Sequence, residues 1–288
     1  MTRHATRLSL AWSLVFLVMA PSACWAESYV ELFIGGVQTE NEHIPFSLQH
    51  RYPGGVSSEI CAVPGRIHLA INHSGTAGLR LGTWFTREGF PGFKYPEWLR
   101  YFGFYLDFSY HRLDYRPQKL DTVSIDNVPP VAGLKEVPQS KYVNRFLSEA
   151  RVFTITFMAC ARYGFFPTDK VPFGRLQPYI GLGPGIFIMD QEVTVQTQSY
   201  VAETRSFTPP FNISPQSNTS VVLCLVGDVG LRWAFNRRLS LDFFFRFRRA
   251  QPGFTYKYRD PLSFQNASFT MHPTFNIYSI NLGLAYHF

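Results

Sequence analysis

Oppositely charged residues stand four positions apart on one face of two neighbouring apolar stretches of this chain. Asp228 and Arg232 lie in the first stretch, and Asp242 and Arg246 lie in the second. Positions separated by an even number share one face of a β-strand, so each stretch carries both signs of charge on a single face. If that face is buried, the charges either neutralise one another or form a switchable barrier, because an unpaired buried charge is costly.

The length of the turn between these stretches decides which residues meet. The polar positions of both stretches are even-numbered, so cross-strand partners must sum to an even number. A two-residue turn would give an odd sum and put one polar face on the wrong side of the sheet. The sequence therefore predicts a three-residue turn at 236–238, which pairs Arg232 with Asp242 and Asp228 with Arg246.

Arg80 and Asp107 occupy the polar faces of two earlier stretches and could add a third pair. The longer connection between them leaves their register open. Two interpretations of these pairs remain: they fill and neutralise a narrow interior, or they gate it. We favour the first, because an unpaired charge in a buried interior is costly and a partner removes that cost.

Catalytic and metal-binding alternatives have weaker support. His73 and Ser74 are adjacent, which places them on opposite faces of a strand, whereas a nucleophilic Ser needs its His base within hydrogen-bond reach. Asp107 and His111 share a face, but no second Asp pair accompanies them, as a proteolytic site would need. Cys61 and the histidines of the same connection match no metal-site spacing; these are His43, His50, His68 and His73. We predict no catalytic, cofactor or metal-binding residue.

The charged residues lie in segments where apolar residues alternate with small or polar ones, the period-2 pattern of β-strands. The alternation is strictest near the C-terminus, where Tyr278, Ile280 and Leu282 alternate with Ser279 and Asn281. There are eight such segments, and an even number is typical of bacterial outer-membrane barrels. They span residues 28–37, 76–87, 99–115, 149–163, 175–189, 220–235, 239–249 and 274–288.

Long and short connections alternate between these segments. The long ones are 38–75, 116–148, 190–219 and 250–273, and the short ones are 88–98, 164–174 and 236–238. Outer-membrane barrels have long extracellular loops and short periplasmic turns. We therefore predict an all-β fold: an eight-stranded antiparallel up-and-down transmembrane β-barrel with four long extracellular loops. Its polar face would point into the lumen, whereas in a secreted sandwich the same face would point to water.

The composition agrees with this class. Hydrophobic residues make up 46% of the chain, aromatic residues 17% and charged residues only 16%, against about 25% charged in a soluble protein. Beyond residue 26 no apolar run reaches the roughly 18 residues that a membrane-spanning helix needs, which excludes a helical membrane protein. The apolar content excludes a disordered chain.

The N-terminus has the pattern of a secretory signal. Arg3 and Arg7 precede an apolar run, and residues 24–26 offer small residues for cleavage after Ala26. We predict a cleaved Sec-type signal peptide at 1–26 and a mature barrel at 27–288. Three cysteines then remain, an odd number; we expect Cys160 and Cys224 to be small buried residues, and the pairing of Cys61 stays open.

Several motifs resemble those of the OmpA-like, porin-like family of small outer-membrane β-barrels. They are Tyr29-Val30-Glu31-Leu32-Phe33-Ile34-Gly35-Gly36, Gly78-Leu79-Arg80-Leu81-Gly82, Leu176-Gln177-Pro178-Tyr179-Ile180-Gly181-Leu182-Gly183 and Leu284-Ala285-Tyr286-His287-Phe288. The terminal Phe288, with Tyr286 and Leu284 before it, resembles the signal read by the barrel-assembly machinery. The resemblance also implies interior salt bridges that block the lumen and can switch. It covers the strands and not the loops.

We therefore expect a non-enzymatic protein of the bacterial outer membrane, with a structural or surface-contact role carried by its long loops. A narrow gated channel for ions or small solutes is the alternative, and a lipid-A-modifying enzyme is a weaker one. Expected partners are outer-membrane lipids, the assembly machinery and an unidentified extracellular ligand. The basic and aromatic residues at 248–259 favour contact with lipopolysaccharide phosphates over nucleic acid.

Overall fold

The computed structural model describes residues 26–40, 42–50, 63–69, 71, 73–86, 94–120, 142–201, 206–207, 211–213, 217–259 and 266–288. Within these ranges the chain forms β-strands and one 3₁₀ helix, Glu97–Tyr101. In chain order the strands are β1 (Ala26–Thr39), β2 (Glu42–His50), β3 (Val63–Leu69), β4 (Ser74–Phe85), β5 (Phe102–Arg112), β6 (Tyr115–Leu120), β7 (Tyr142–Arg162), β8 (Leu176–Val201), β9 (Ser206–Phe207), β10 (Phe211–Ile213), β11 (Asn218–Ala234), β12 (Leu239–Ala250), β13 (Phe254–Arg259), β14 (Asn266–Met271) and β15 (Phe275–His287).

Eight of these strands close a barrel. Their order is β1-β4-β5-β7-β8-β11-β12-β15, and β15 returns to β1 with Val30 opposite Tyr286. Every neighbouring pair in the ring is antiparallel. Closure leaves no free edge in the ring, since every barrel strand pairs on both sides. The predicted eight-stranded antiparallel up-and-down barrel is confirmed.

The apolar face of the barrel is its outer face. On β1, Leu32 and Ile34 are 66% and 67% exposed, whereas Glu31 and Phe33, which alternate with them, are buried. On β11, Leu223 is 79% exposed. A soluble protein does not normally present so large a continuous apolar surface. The predicted assignment of inner and outer faces is therefore the one that the structure has.

Small residues on the inner face make room for large rings. A Cβ atom at Gly82 would lie 2.2 Å from the Tyr29 ring, and one at Gly230 would lie 2.3 Å from the Tyr179 ring. Each glycine stands directly opposite its tyrosine on the neighbouring strand. The alternation of bulky and small inward residues thus fills the narrow interior.

The barrel strands differ from the predicted segments at their ends. β7 and β8 run well past the predicted 149–163 and 175–189, and remain paired from Arg162–Tyr179 to Tyr142–Ser199. The 3₁₀ helix occupies the start of the predicted segment 99–115. The added part of β8 is mostly polar and lacks a contrast between its two faces, so a period-2 search does not detect it.

The long connections contain a second sheet, which the sequence pattern did not predict. Its order is β13-β14-β2-β3, so it is built from the first and fourth connections. On this side the interior continues as an apolar layer, which we call the apolar cap; it consists of Leu113, Tyr115, Phe254, Tyr256, Met271 and Phe275, all buried. The Tyr256 hydroxyl donates to Gln191 Oε1 at 2.9 Å.

None of the helices in the described part of the chain is long and apolar enough to cross a membrane. Cys160 and Cys224 are buried and unpaired, in agreement with the sequence analysis. The predicted signal segment before Ala26 and Cys61 lie outside the described residues.

Candidate functional site: a charge network inside the barrel

Seven charged side chains meet in the middle of the lumen, and we call them the charge network. They come from inward-facing positions of β1, β4, β5, β11 and β12, and each is at least 98% buried. Three are arginines and four are carboxylates: Arg80, Arg232, Arg246, Glu31, Asp107, Asp228 and Asp242. On β4 and β11 glycines flank the charged positions, with Gly78 and Gly82 on either side of Arg80 and Gly230 between Asp228 and Arg232, and this leaves room for the long arginine side chains to cross the lumen.

Arg80 lies at the centre of the charge network. Its guanidinium nitrogens lie 3.2 Å from a carboxylate oxygen of Glu31, 3.2 Å from Asp228 and 3.4 Å from Asp242. Its Nε lies 3.5 Å from Asp107 Oδ2. One cation therefore bridges carboxylates of four different strands, which ties opposite walls of the barrel together.

The β11–β12 hairpin supplies the two predicted charge pairs. Arg232 stands opposite Asp242 and Asp228 opposite Arg246 in the strand register. Arg232 Nη2 donates to Asp242 at 2.9 Å, and Arg246 Nε donates to Asp228 at 2.8 Å. The amide of Phe235 donates to the carbonyl of Leu239, which closes the three-residue turn that the parity argument predicts.

Arg80 and Asp107 are also cross-strand partners, as the sequence allowed. Asp107 is bound more closely by Arg246, through two guanidinium nitrogens at 2.7 and 2.8 Å. This bidentate contact joins β5 to β12 across the lumen, and such a fork is among the stronger forms of ion pair. The third predicted pair is thus part of a larger network.

Glu31 is the member of the charge network that the sequence analysis did not assign. It accepts a hydrogen bond from Arg232 at 2.8 Å and lies 3.2 Å from Arg80. It lies on the inner face of β1, directly opposite Arg80 on the neighbouring β4, whereas its contact with Arg232 crosses the lumen, because β1 and β11 are not neighbours in the ring. Barrel closure is what creates this contact.

Aromatic rings line the network and cover its arginines. The Arg80 guanidinium carbon lies 4.3 Å from the Tyr105 ring centre and 4.2 Å from that of Phe244. Arg232 lies 4.3 Å from the ring of Tyr29. Cations above aromatic faces are attracted by the ring quadrupole, more strongly when both are shielded from water. The rings therefore stabilise the buried cations and also fill the lumen.

Arg248 lies beyond the network on the side of the long connections. Its guanidinium donates to Ser109 Oγ at 3.0 Å and lies 3.5 Å from His111 Nδ1. With Arg248 included, four buried arginines face four buried carboxylates, so the formal charges of this part of the lumen balance. His111 was considered with Asp107 as a proteolytic pair, but these two residues contact different arginines.

A smaller polar cluster, which we call the Glu27 cluster, closes the barrel at the end that carries the short turns. Arg162 donates to Glu27 and to Gln177 Oε1, and His287 Nδ1 lies 3.1 Å from Glu27. Ser240 Oγ lies 2.8 Å from His287 Nε2, so Ser240, His287 and Glu27 follow the order of a Ser–His–acid relay. Ser240 is fully buried and Glu27 is held by Arg162, so this arrangement supports cross-linking of strands better than nucleophilic attack.

The remaining sequence candidates are separated from one another. The Ser74 hydroxyl donates to the main-chain carbonyl of Arg112, and His73 is exposed beside it. Leu284, Tyr286 and Phe288 all point outward and are between 45% and 68% exposed. In the part of the chain that the structure describes, no group of three or more His, Cys, Asp or Glu residues could hold a metal ion.

Comparisons with known proteins give no match to a family model and no match to a curated protein sequence. Solved structures of similar shape include the outer membrane protein OprG from Pseudomonas aeruginosa, with 12% identity over 91% of this chain and 96% of that chain and a TM-score of 0.46. Neisserial surface protein A has 10% identity over 91% and 97% of the two chains and a TM-score of 0.32. Ail from Yersinia pestis has 11% identity over 91% and 99% and a TM-score of 0.29.

These identities and TM-scores describe a similarity of shape and do not indicate a function. The fold assignment rests on the strand pairing of this chain, and the similarity to the OmpA-like family remains a prediction.

Proposed function

We propose that this protein is a bacterial outer-membrane β-barrel with a non-enzymatic, structural or surface-contact role. The observation that carries the proposal is the distribution of side chains in the barrel. Apolar side chains cover its outside and a paired charge network fills its inside, which is the reverse of the distribution in a soluble protein. A closed barrel is one of the few structures whose backbone polar groups are all satisfied within a bilayer. The mature chain would begin at residue 27 after export.

The orientation follows from the ends of the barrel. The short turns and both ends of the barrel chain lie at one end, which we assign to the periplasm, and the second sheet with the apolar cap would face the outside. That outer region would carry the surface contacts, with lipopolysaccharide and an extracellular ligand as partners. Delivery to the membrane would use the assembly machinery, with the outward-facing Phe288, Tyr286 and Leu284 as the signal.

Two measurements on the protein extracted from membranes test this proposal. A folded barrel should migrate differently on a gel before and after heating, and should show the circular dichroism of β-structure in detergent. Lipid A from cells with and without the protein should give the same mass spectrum if the protein has no enzymatic role. A protein that stays soluble without detergent would contradict the membrane assignment.

A narrow gated channel is the second candidate. It is favoured by polar side chains at successive levels of the lumen, from the partly exposed Glu27 through the charge network to Arg248. The apolar cap opposes it, because this layer closes the same interior on the outer side. Conductance of the reconstituted protein in a planar bilayer distinguishes the two roles.

A further inference from the structure

Two of the short turns lie side by side at the end of the barrel that we assign to the periplasm. The β7–β8 turn spans 163–175, and the three-residue β11–β12 turn spans 236–238 with Phe235 at its base. Arg237 Nη2 donates to the carbonyl of Asp169 at 3.0 Å, and the amide of Ala234 donates to the carbonyl of Arg175 at 2.8 Å. The two turns, which we call the basic turn pair, therefore present one joined surface.

The basic turn pair carries an excess of cations. The two turns contain four basic residues, Lys170, Arg175, Arg237 and Arg238, but only one acidic residue, Asp169. Among the described residues, none of these four cations forms an ion pair; Arg237 is bound only to a main-chain carbonyl, and the buried Arg175 Nε has no hydrogen-bond partner. The interior of the same barrel balances its charges, so this surface is an unneutralised exception suited to an anionic partner.

Exposed aromatic side chains border these cations. They are Tyr163, Phe165, Phe166, Trp233 and Phe235, each between 40% and 65% exposed. The backbone of Phe166 is left-handed, with φ of 58°, which is unfavourable for a bulky residue. A strained, 65% exposed ring at the base of the β7–β8 turn, where Phe166 pairs with Arg175, makes physical sense if the ring contacts an apolar phase. Aromatic rings next to cations are the composition of a membrane interface.

We propose that the basic turn pair is a binding surface for anionic phospholipids of the periplasmic leaflet. The partner is a lipid with a net negative phosphate-diester headgroup, of the phosphatidylglycerol type. Arginine fits phosphate oxygens with two parallel N–H donors, while the aromatic rings sit among the upper acyl chains. This inference rests on the proposed membrane function, which supplies the leaflet.

The test measures which lipids remain on the protein. The full chain is expressed, extracted from membranes and reconstituted in vesicles of phosphatidylethanolamine and phosphatidylglycerol at 3:1. The protein is then extracted again with a mild detergent, and the lipids that remain bound are quantified by mass spectrometry. We expect enrichment of phosphatidylglycerol over its bulk share. Because each basic residue at an anionic surface contributes roughly fivefold in affinity, the double variant Arg237→Gln/Arg238→Gln should lose most of this enrichment.

A matched control removes two cations elsewhere. Arg112 and Arg151 are exposed cross-strand partners toward the other end of the barrel, outside the basic and aromatic residues at 248–259, so Arg112→Gln/Arg151→Gln should keep the enrichment. Phe166→Gly removes the backbone strain and should lower the enrichment while the barrel stays as stable or becomes more so. The control variant and Phe166→Gly should both keep the heat-dependent gel shift. This shift shows whether the barrel is folded, independently of which lipids it binds.

Four outcomes would overturn the proposal. Wild-type protein with an intact heat shift and no enrichment removes the lipid surface but leaves the barrel assignment standing. Equal losses in the test and control variants show a general charge effect. A missing heat shift overturns the membrane function and this inference together. Retention of a protein or peptidoglycan fragment on the basic turn pair, in place of lipid, would assign the surface to another partner.

Discussion

At the scale of single residues, the charge network illustrates how buried charges behave as a unit. Arg80 contacts four carboxylates, and Arg246 shares two of them. A complete buried network is not in itself a large source of stability, because desolvation offsets the attraction between its charges. Removal of one member is different, since it leaves the others unpaired in a place that water reaches poorly.

Substitution of Arg80 should therefore be among the most destabilising changes to this barrel. We expect Arg80→Ala to lower the free energy of unfolding by about 3–5 kcal/mol, the usual cost of breaking a buried ion pair. Urea unfolding in detergent micelles, followed by circular dichroism, measures it. Arg249→Ala, a change of the same type at an exposed position, should cost less than about 1 kcal/mol. Equal costs for both changes would refute the network's role.

Glu40 gives a pH prediction outside the membrane-spanning strands. Hydrogen bonds from Tyr278 and Asn276 hold the pKa of Glu40 below its usual value of 4.5. A lowered pKa means that these bonds contribute stability above pH 4.5, and that the contribution is lost as the pH falls through the folded pKa. Tyr278→Phe should raise the pKa of Glu40 in an NMR titration, whereas an unchanged pKa would show that the Tyr278 hydroxyl does not stabilise the carboxylate.

At the scale of elements, the parity of the turns controls which face of each strand meets lipid. The β11–β12 turn of three residues places Arg232, Asp242, Asp228 and Arg246 on one inner face. A change of one residue in that turn either moves the following strand by one position or strains the hairpin. Either result exposes charges to lipid or breaks the ladder.

Deletion of Arg237 should therefore prevent correct assembly, whereas insertion of two residues after Arg237 should be tolerated because it keeps the parity. The measurement is the heat-dependent gel shift of protein extracted from membranes. We expect the shift to be lost on deletion and retained on insertion. A deletion variant that folds normally would show that register is set by the remaining strands and not by this turn.

At the scale of the whole molecule, the interior is divided into layers along the barrel axis. The Glu27 cluster closes the short-turn end, the charge network occupies the middle, and the apolar cap closes the other end. These layers are held by side chains from opposite walls, so they also brace the barrel against collapse. A solute would have to displace more than one layer to pass.

The layered interior predicts that weakening one layer does not open a path. Arg232→Ala removes the contacts to Glu31 and Asp242 but leaves the apolar cap in place. Its conductance in a planar bilayer should stay at the wild-type level, even though its stability falls. A rise in conductance with this single change would favour the gated-channel role over the structural one.

Much of this arrangement follows from the sequence alone. Period-2 alternation fixes which residues face inward, because successive side chains of a strand point to opposite faces. Turn parity then fixes the register of β11 with β12, and so the pairs Arg232–Asp242 and Asp228–Arg246. These features are local: each depends on residues within one strand or one hairpin.

Other features were decided only by the tertiary structure. Glu31 reaches Arg232, and Arg246 binds Asp107, only because closure of the ring brings opposite walls within side-chain reach, whereas the contact of Glu31 with Arg80 joins two neighbouring strands. The extension of β8 beyond residue 189 is mostly polar, so its sequence lacks the alternation of apolar and polar residues that reveals a strand. The pairing of strands from the first and fourth connections into a second sheet joins segments that are far apart in the chain, so no local pattern could predict it. Sequence therefore determined the faces and the nearest pairs, whereas barrel closure determined the contacts across the lumen.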